Sequence, residues 1–139
     1  MATIANIFRE TTVPLLATVV NFSQTRHGVL AGNIANLDTP GYRVRDLDRE
    51  GFQAQLKSAI EERQRPPGQG SPGLAAPRGA PFQGEVLRNP RTILRHDDAN
   101  VSLEYEVAEM VKNQMEHNLG VALMVSQFRL LQTAISERV

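Results

Sequence analysis

Leu30-Ala31-Gly32-Asn33-Ile34-Ala35-Asn36-Leu37-Asp38-Thr39-Pro40-Gly41-Tyr42 decides how this chain folds. It is the end of one helix and the turn that stops it. Asn33, Ile34 and Leu37 stand at i, i+1 and i+4, so they share or flank one helical face. Asp38 and Thr39 are turn and capping residues. Pro40 pushes Thr39 toward an extended backbone and cannot continue a helix. Gly41 follows where a turn can demand positive φ. Tyr42 then offers a ring with a polar tip, suited to locking the turn against a packed surface. On chemistry alone this is a helix stop and a Pro-Gly turn, and such stops are common.

Upstream, the pattern predicts a helix from about Val13 to about Leu37, with Thr11 or Thr12 as N-cap and Pro14 tolerated in the first turn. Its stripe is Leu15, Val19, Phe22, Arg26, Val29 or Leu30, Asn33 and Leu37, in alternating steps of four and three, the spacing of a coiled coil. Arg26 and Asn33 are polar intruders on that stripe. Either they lie at its edge, or Asn33 fixes register or bonds a neighbouring chain. Gly28 and Gly32, with Ala31 and Ala35, form a small-residue surface that another helix could approach closely. Met1 to Glu10 is weakly helical, with Ile4, Ile7 and Phe8 on one side.

Downstream, Tyr42 to Leu47 is an extended arm or short strand. Phe52, Leu56, Ala59 and Ile60 recur at helical spacing, which predicts a short helix from Arg49 to Arg63. Pro66, Pro67, Pro72, Pro77 and Pro81, with Gly68, Gly70, Gly73, Gly79 and Gly84, make 65–84 a flexible loop. Val86-Leu87 and Thr92-Ile93-Leu94 flank Asn89-Pro90 as two extended pieces or a short β-hairpin. Asp97 to Asn100 is a turn. Ser102 caps a long last helix that runs to about Glu137, with Glu104 and Glu106 where the helix dipole favours acids. The stripe predicted for it is Leu103, Val107, Met110, Gln114, His117, Val121, Met124 or Val125, Phe128, Leu131 and Ile135, with Gly120 loosening its middle.

The fold expected is therefore mainly α. Long N- and C-terminal helices pair as an antiparallel coiled coil around a short middle region of arm, helix, loop and hairpin. The chain divides into an N-terminal helical segment (1–37), a middle region (38–100) that holds the flexible loop, and a C-terminal helix (101–139). A lone pair of such helices has a folding balance near or below zero once backbone entropy is set against apolar burial. The isolated chain is expected to be marginal and to gain order when neighbours cover its remaining apolar surface.

Composition narrows the function. Fifteen basic and fifteen acidic residues give zero net charge, which argues against nucleic acid as a general partner. Absence of cysteine excludes a disulfide framework and a thiolate metal site. No apolar run approaches the roughly 20 residues of a membrane span, and Met1 to Glu10 lacks a cleavable signal pattern. His27, His96 and His117 show no metal-ligand spacing, and Asp97-Asp98 lacks the rest of a calcium loop. No nucleophile elbow and no phosphate-cradling Gly loop is present. Neither an enzyme nor a cofactor is expected.

The run Asn33 to Tyr42 resembles the N-terminal motif shared by the axial proteins of the bacterial flagellum, which form its rod, hook and hook-associated parts. Arg43-Val44-Arg45-Asp46-Leu47-Asp48, following with no insertion, is similar to the proximal rod members. Asn100-Val101-Ser102-Leu103-Glu104-Tyr105-Glu106-Val107-Ala108-Glu109-Met110, with Asn113-Gln114 after it, is similar to the family's C-terminal motif. The resemblance covers both ends but not Arg65 to Pro81. Leu37 replaces a common Ala, and Arg49-Glu50-Gly51 delays a Phe that often follows the Asp directly.

The resemblance implies a structural subunit of the basal-body rod in the periplasm. Such a subunit is exported unfolded without a cleaved signal and assembles helically through its terminal helices, linking the membrane ring to the rest of the rod. The partners implied are copies of itself, other rod subunits, membrane-ring and adaptor proteins at the rod base, and the export apparatus. Nucleic acid and small-molecule substrates are not among them. The residues expected at subunit contacts are Asn33, Asn36, Asp38, Thr39, Pro40, Gly41, Tyr42, Arg43, Asp46, Asn113, Val125 and Phe128. The polar ones would fix register and the apolar ones would supply adhesion. The alternatives are another proximal rod protein, a cytoplasmic helical adaptor or chaperone, and a hydrolase using His117 with Glu116 or Glu109.

Overall fold

The computed structural model describes residues 11–64, 86–88 and 103–136; of 86–88 it gives the backbone alone. The expected turn at 97–100, the Ser102 cap, the loop over 65–84, the extended piece at Thr92 to Leu94 and the helical tendency of Met1 to Glu10 lie outside the described residues.

Helix α1 is Val13–Ala35. Thr12 occupies its N-cap position without a side-chain cap bond, and Pro14 sits in the first turn, where its missing N–H costs no helical bond. The helix ends two residues earlier than expected. The Asn36 side chain donates to the Gly32 carbonyl at 2.8 Å, and its N–H is shared between the Gly32 and Asn33 carbonyls. The chain then turns. The Tyr42 N–H reaches the Thr39 carbonyl at 3.1 Å, with Pro40 and Gly41 at the two central positions and Gly41 at φ +73°. That is a type II turn, and its second central residue needs the conformation glycine tolerates best.

Strand β1, Arg45–Leu47, follows and pairs antiparallel with β2, Val86–Arg88, in the register Arg45↔Arg88, Asp46↔Leu87, Leu47↔Val86. Val86 and Leu87 thus extend against the arm. Helix α2, Arg49–Gln64, opens on Asp48, whose Oδ1 accepts from the Gly51 N–H at 2.9 Å. Phe52 is its one buried residue and stacks on Phe22, ring centroids 4.0 Å apart and nearly parallel. Phe22, Leu47 and Phe52 form the apolar core, with Val19, Val29 and Leu56 packed around it.

Helix α3, Leu103–Ser136, is the longest element, about 50 Å at 1.5 Å per residue. It packs along α1, and the cross-contacts fix an antiparallel pair: Asn33 meets Glu106, Arg26 meets Glu109, Ser23 meets His117 and Val20 meets Gly120. At Gly120 an added Cβ would come within 3.0 Å of Val20 Cγ2. Gly120 therefore sets how closely the helices approach, rather than loosening α3. Among the described residues a Cβ added at Gly28 or Gly32 would meet nothing within 4 Å, so α3 does not use the small-residue surface of α1.

The buried face of α3 differs from the apolar stripe predicted for it. Glu106, Glu109, Asn113 and Gly120 are buried, while Leu103, Val107, Gln114, Val121, Val125, Phe128 and Ile135 are exposed. Of the expected stripe, Met110, His117, Met124 and Leu131 are half-buried. The helix is rotated because its acids and amide find polar partners on α1 and the arm, and such partners offset the cost of burial. One further expectation changes. By length and composition α3 is long and apolar enough to cross a membrane, with an 18-residue window of mean hydropathy 1.2, of which 6% is buried in this chain.

Candidate functional site

The seam between α1 and α3 is built from charge and amide groups. Arg26 is fully buried on α1. Its Nε donates to Asp46 Oδ1 at 2.8 Å, and its Nη2 donates to Asp46 Oδ2 at 2.6 Å and to Glu109 Oε2 at 2.8 Å. One guanidinium thereby joins α1, β1 and α3. Burial alone would lower its pKa, but the bonds to Asp46 and Glu109 outweigh that and raise it, so Arg26 is permanently charged. Glu109 also accepts from Lys112 Nζ at 2.7 Å. Burial pushes its carboxyl up, but Arg26 and Lys112 pull harder and hold it below the usual carboxylate range.

Asn33, also fully buried, is the second hub. Its Nδ2 donates to the Arg45 carbonyl at 2.7 Å and to Glu106 Oε2 at 2.8 Å. Its Oδ1 accepts from Tyr42 Oη at 3.0 Å and from the Arg45 N–H at 3.2 Å. Tyr42 thus locks the turn against a packed surface, as its polar-tipped ring suggests. Glu106 is placed differently from Glu109. Burial, reinforced by the nearby charges of Asp46 and Glu109, raises its carboxyl, and the Asn33 bond only partly opposes the shift. Glu106 Oε1 and Arg26 Nη1 have no partner among the described residues.

Asn113 completes the seam, donating from Nδ2 to the Ser23 carbonyl at 2.8 Å. Asn33 and Asn113, expected at subunit contacts, are thus enclosed within the chain, where they offer no surface to a neighbour. Asp46 is half-buried and committed to Arg26. Asn36 and Tyr42 are half-buried, whereas Asp38, Thr39, Pro40, Gly41 and Arg43 are exposed around the turn. Val125 and Phe128 are 43% and 44% exposed on the outer face of α3. The fold does not gather the expected residues into one patch. It separates an inner set that fixes register, a turn, and an apolar helix face.

Arg26, Glu106, Glu109 and Ser23 also belong to the inner set; of these, the sequence points to Glu109 alone as a site residue, and there only as a hydrolase carboxylate. A signal was present. Glu106, Glu109 and Asn113 recur at helical spacing, and an arginine on the opposite stripe needs a carboxylate facing it. Among the described residues no three His, Cys, Asp or Glu side chains group as a metal site.

Tyr42 and the turn bonded to Asn33, and Asn33 bonded in turn to the C-terminal helix, tie together the two motifs that the sequence shares with flagellar axial proteins. Comparison with known proteins agrees. The chain is 30% identical over 115 residues to the flagellar basal body rod protein FlgB of Aeromonas hydrophila, spanning 79% of this chain and 81% of that one. The chain belongs to the FlgB family. It is also 30% identical over 117 residues to FlgB of Cereibacter sphaeroides, covering 81% and 84% of the two chains. To FlgB of Aquifex aeolicus it is 28% identical over 128 residues, covering 91% and 94%. No family profile matches. The FlgB relatives are basal body rod proteins by name, which accords with a structural component and a place in the flagellum.

Proposed function

We propose that this chain is a structural, non-enzymatic subunit of the proximal flagellar rod, polymerised helically through its terminal helices to connect the membrane ring with the rest of the rod. The observation that carries this reading is the distribution of surface on α3. The face toward α1 is polar, while large apolar side chains are exposed around the rest of the helix: Leu103, Val107, Val111, Met115, Leu119, Val121, Leu123, Val125 and Phe128. Each is at least 39% exposed. Among the described residues, only five apolar side chains are fully buried. Such a chain has more apolar surface to cover than core to hold it, so its stability rises with occupancy by neighbours.

Lipid and protein are the two media that could cover α3. Kinship with rod proteins favours protein, with sister subunits and the next rod proteins as the neighbours. The exposed turn residues Asp38, Thr39, Pro40, Gly41 and Arg43 are assigned to the same contacts, with Val125 and Phe128. Asn33, Asp46 and Asn113 act inside the subunit, presenting the turn at a fixed angle. The test is a deletion of the gene with purification of basal bodies. Loss of motility, with the chain present in wild-type basal bodies and rod assembly arrested in the deletion, is the expected result. A motile deletion strain, or a chain found only in the cytoplasm, would favour an adaptor instead.

A further inference from the structure

Between α1 and α3, beside the charged seam, lies a polar pocket of about 190 Å³ lined by Ser23, Gln24, His27, Asn113, Gln114 and His117. Ser23 and His27 are four apart on one helix, and Asn113 and His117 are four apart on the other, so each pair faces one way. The fold thus brings together two histidines that lie far apart in sequence.

The hydrogen bonds determine what this pocket offers. Ser23 Oγ donates to the Val20 carbonyl at 2.9 Å, which uses its single proton. The same oxygen lies 3.0 Å from His117 Nδ1 and can accept from it. In the tautomer protonated on Nδ1, His117 keeps its lone pair on Nε2, the arrangement in which a hydrogen-bond partner orients a metal-binding imidazole. Asn113 is fully buried and spends its Nδ2 on the Ser23 carbonyl, and its Oδ1 has no partner among the described residues. His27 Nδ1 is likewise buried and unpartnered among them. The lining residues include two imidazoles and an amide, with no carboxylate among them.

We infer that this pocket binds a borderline divalent transition cation, Zn²⁺ being the probe, through His27, His117 and the Asn113 amide oxygen, with water completing the coordination. Imidazole ligands without carboxylates select such cations over Mg²⁺ or Ca²⁺. A cation held from both helices would fasten α1 to α3. This inference is independent of the rod reading.

The test is calorimetric titration of ZnCl₂ into the untagged full-length chain, with thermal melts followed by circular dichroism. One saturable binding event per chain and a rise in melting temperature are expected. His27→Gln and His117→Gln should each weaken binding by about tenfold or more, while His96→Gln leaves it unchanged. The His27 variant keeps the Ser23–His117 bond, so it reports on binding even where the His117 variant unfolds. Absence of saturable binding, equal affinity in the His27→Gln/His117→Gln double variant, or Mg²⁺ binding as tightly as Zn²⁺ would overturn the inference.

Discussion

Asn33 donates to Glu106 across the helix pair at 2.8 Å, and the same amide holds Tyr42 and the Arg45 backbone. One side chain therefore sets both the register of α1 against α3 and the angle at which the turn leaves α1. A polar residue in a helical seam specifies register because only one alignment satisfies it.

Replacing Asn33 by Ala would leave the Tyr42 hydroxyl, the Arg45 backbone groups and a buried carboxylate without their partner. Each buried group left unsatisfied costs about 1–3 kcal/mol, so the variant should lose at least that much stability, seen as a lower urea midpoint. Asn33→Asp should be worse at neutral pH, since it sets a second carboxylate against Glu106, and it should recover partly in acid. Equal stability of all three chains would mean the seam does not set register.

Glu106 and Glu109 are one helical turn apart but should respond oppositely to amidation. Glu109 has a lowered carboxyl in the folded chain. Its contribution is present above its ordinary value and is lost as pH falls through the folded one. Glu106 has a raised carboxyl, so its contribution is complete below its ordinary value of 4.5 and is lost as pH rises through the folded one. At pH 7, Glu109→Gln should therefore destabilise the chain by about 2–4 kcal/mol, because Arg26 keeps its buried charge and loses a partner. Glu106→Gln should cost little or stabilise, since it removes a carboxylate repelled by Asp46 and Glu109. Melts of both variants between pH 4 and pH 8 check the two slopes.

What the sequence disclosed follows from the range of each interaction. Local chemistry was legible. Pro40 and Gly41 announced the turn and its positive φ, Arg49 to Arg63 showed its helical spacing, and the polar breaks at Arg26 and Asn33 marked the seam. The face of α3 was not legible, because apolar periodicity identifies a buried face only when the buried face is apolar. Here Glu106, Glu109 and Asn113 are enclosed by partners up to 90 residues away, and Leu103, Val107 and Val121 are left outward. Periodicity reported the surface available to neighbours, not the internal contact. The pocket that His27 and His117 both line was hidden for the same reason: it depends on the register, which the polar seam sets.

Gly41 sits at φ +73°, and a Cβ added there would meet nothing within 4 Å among the described residues. Any cost of Gly41→Ala is therefore conformational and not steric. A left-handed non-glycine residue costs roughly 1–2 kcal/mol, and a drop of that size is expected in chemical denaturation. Asn is the better replacement, because it tolerates this conformation more readily.

Val125 lies on the outer face of α3 and is 43% exposed. Val125→Asp should leave the helicity of the isolated chain almost unchanged, since surface substitutions rarely exceed about 0.5 kcal/mol. The same change should abolish motility and incorporation into basal bodies if neighbours cover this face. A variant that assembles normally would place the subunit contact elsewhere on the molecule.

Gly28 and Gly32 separate folding from assembly most sharply. Both lie within α1, and a Cβ added at either meets nothing within 4 Å among the described residues. Alanine at each should therefore stabilise the isolated chain, by up to about 1 kcal/mol per site, through helix propensity alone. Nothing among the described residues calls for glycine at either position. Close approach of a neighbouring helix would supply one, because a methyl group there would hold the two backbones apart. Gly28→Ala/Gly32→Ala should then melt higher than the natural chain yet swim poorly, with fewer intact rods in purified basal bodies. A doubly substituted strain that swims normally would show that the small-residue surface faces solvent in the assembled rod.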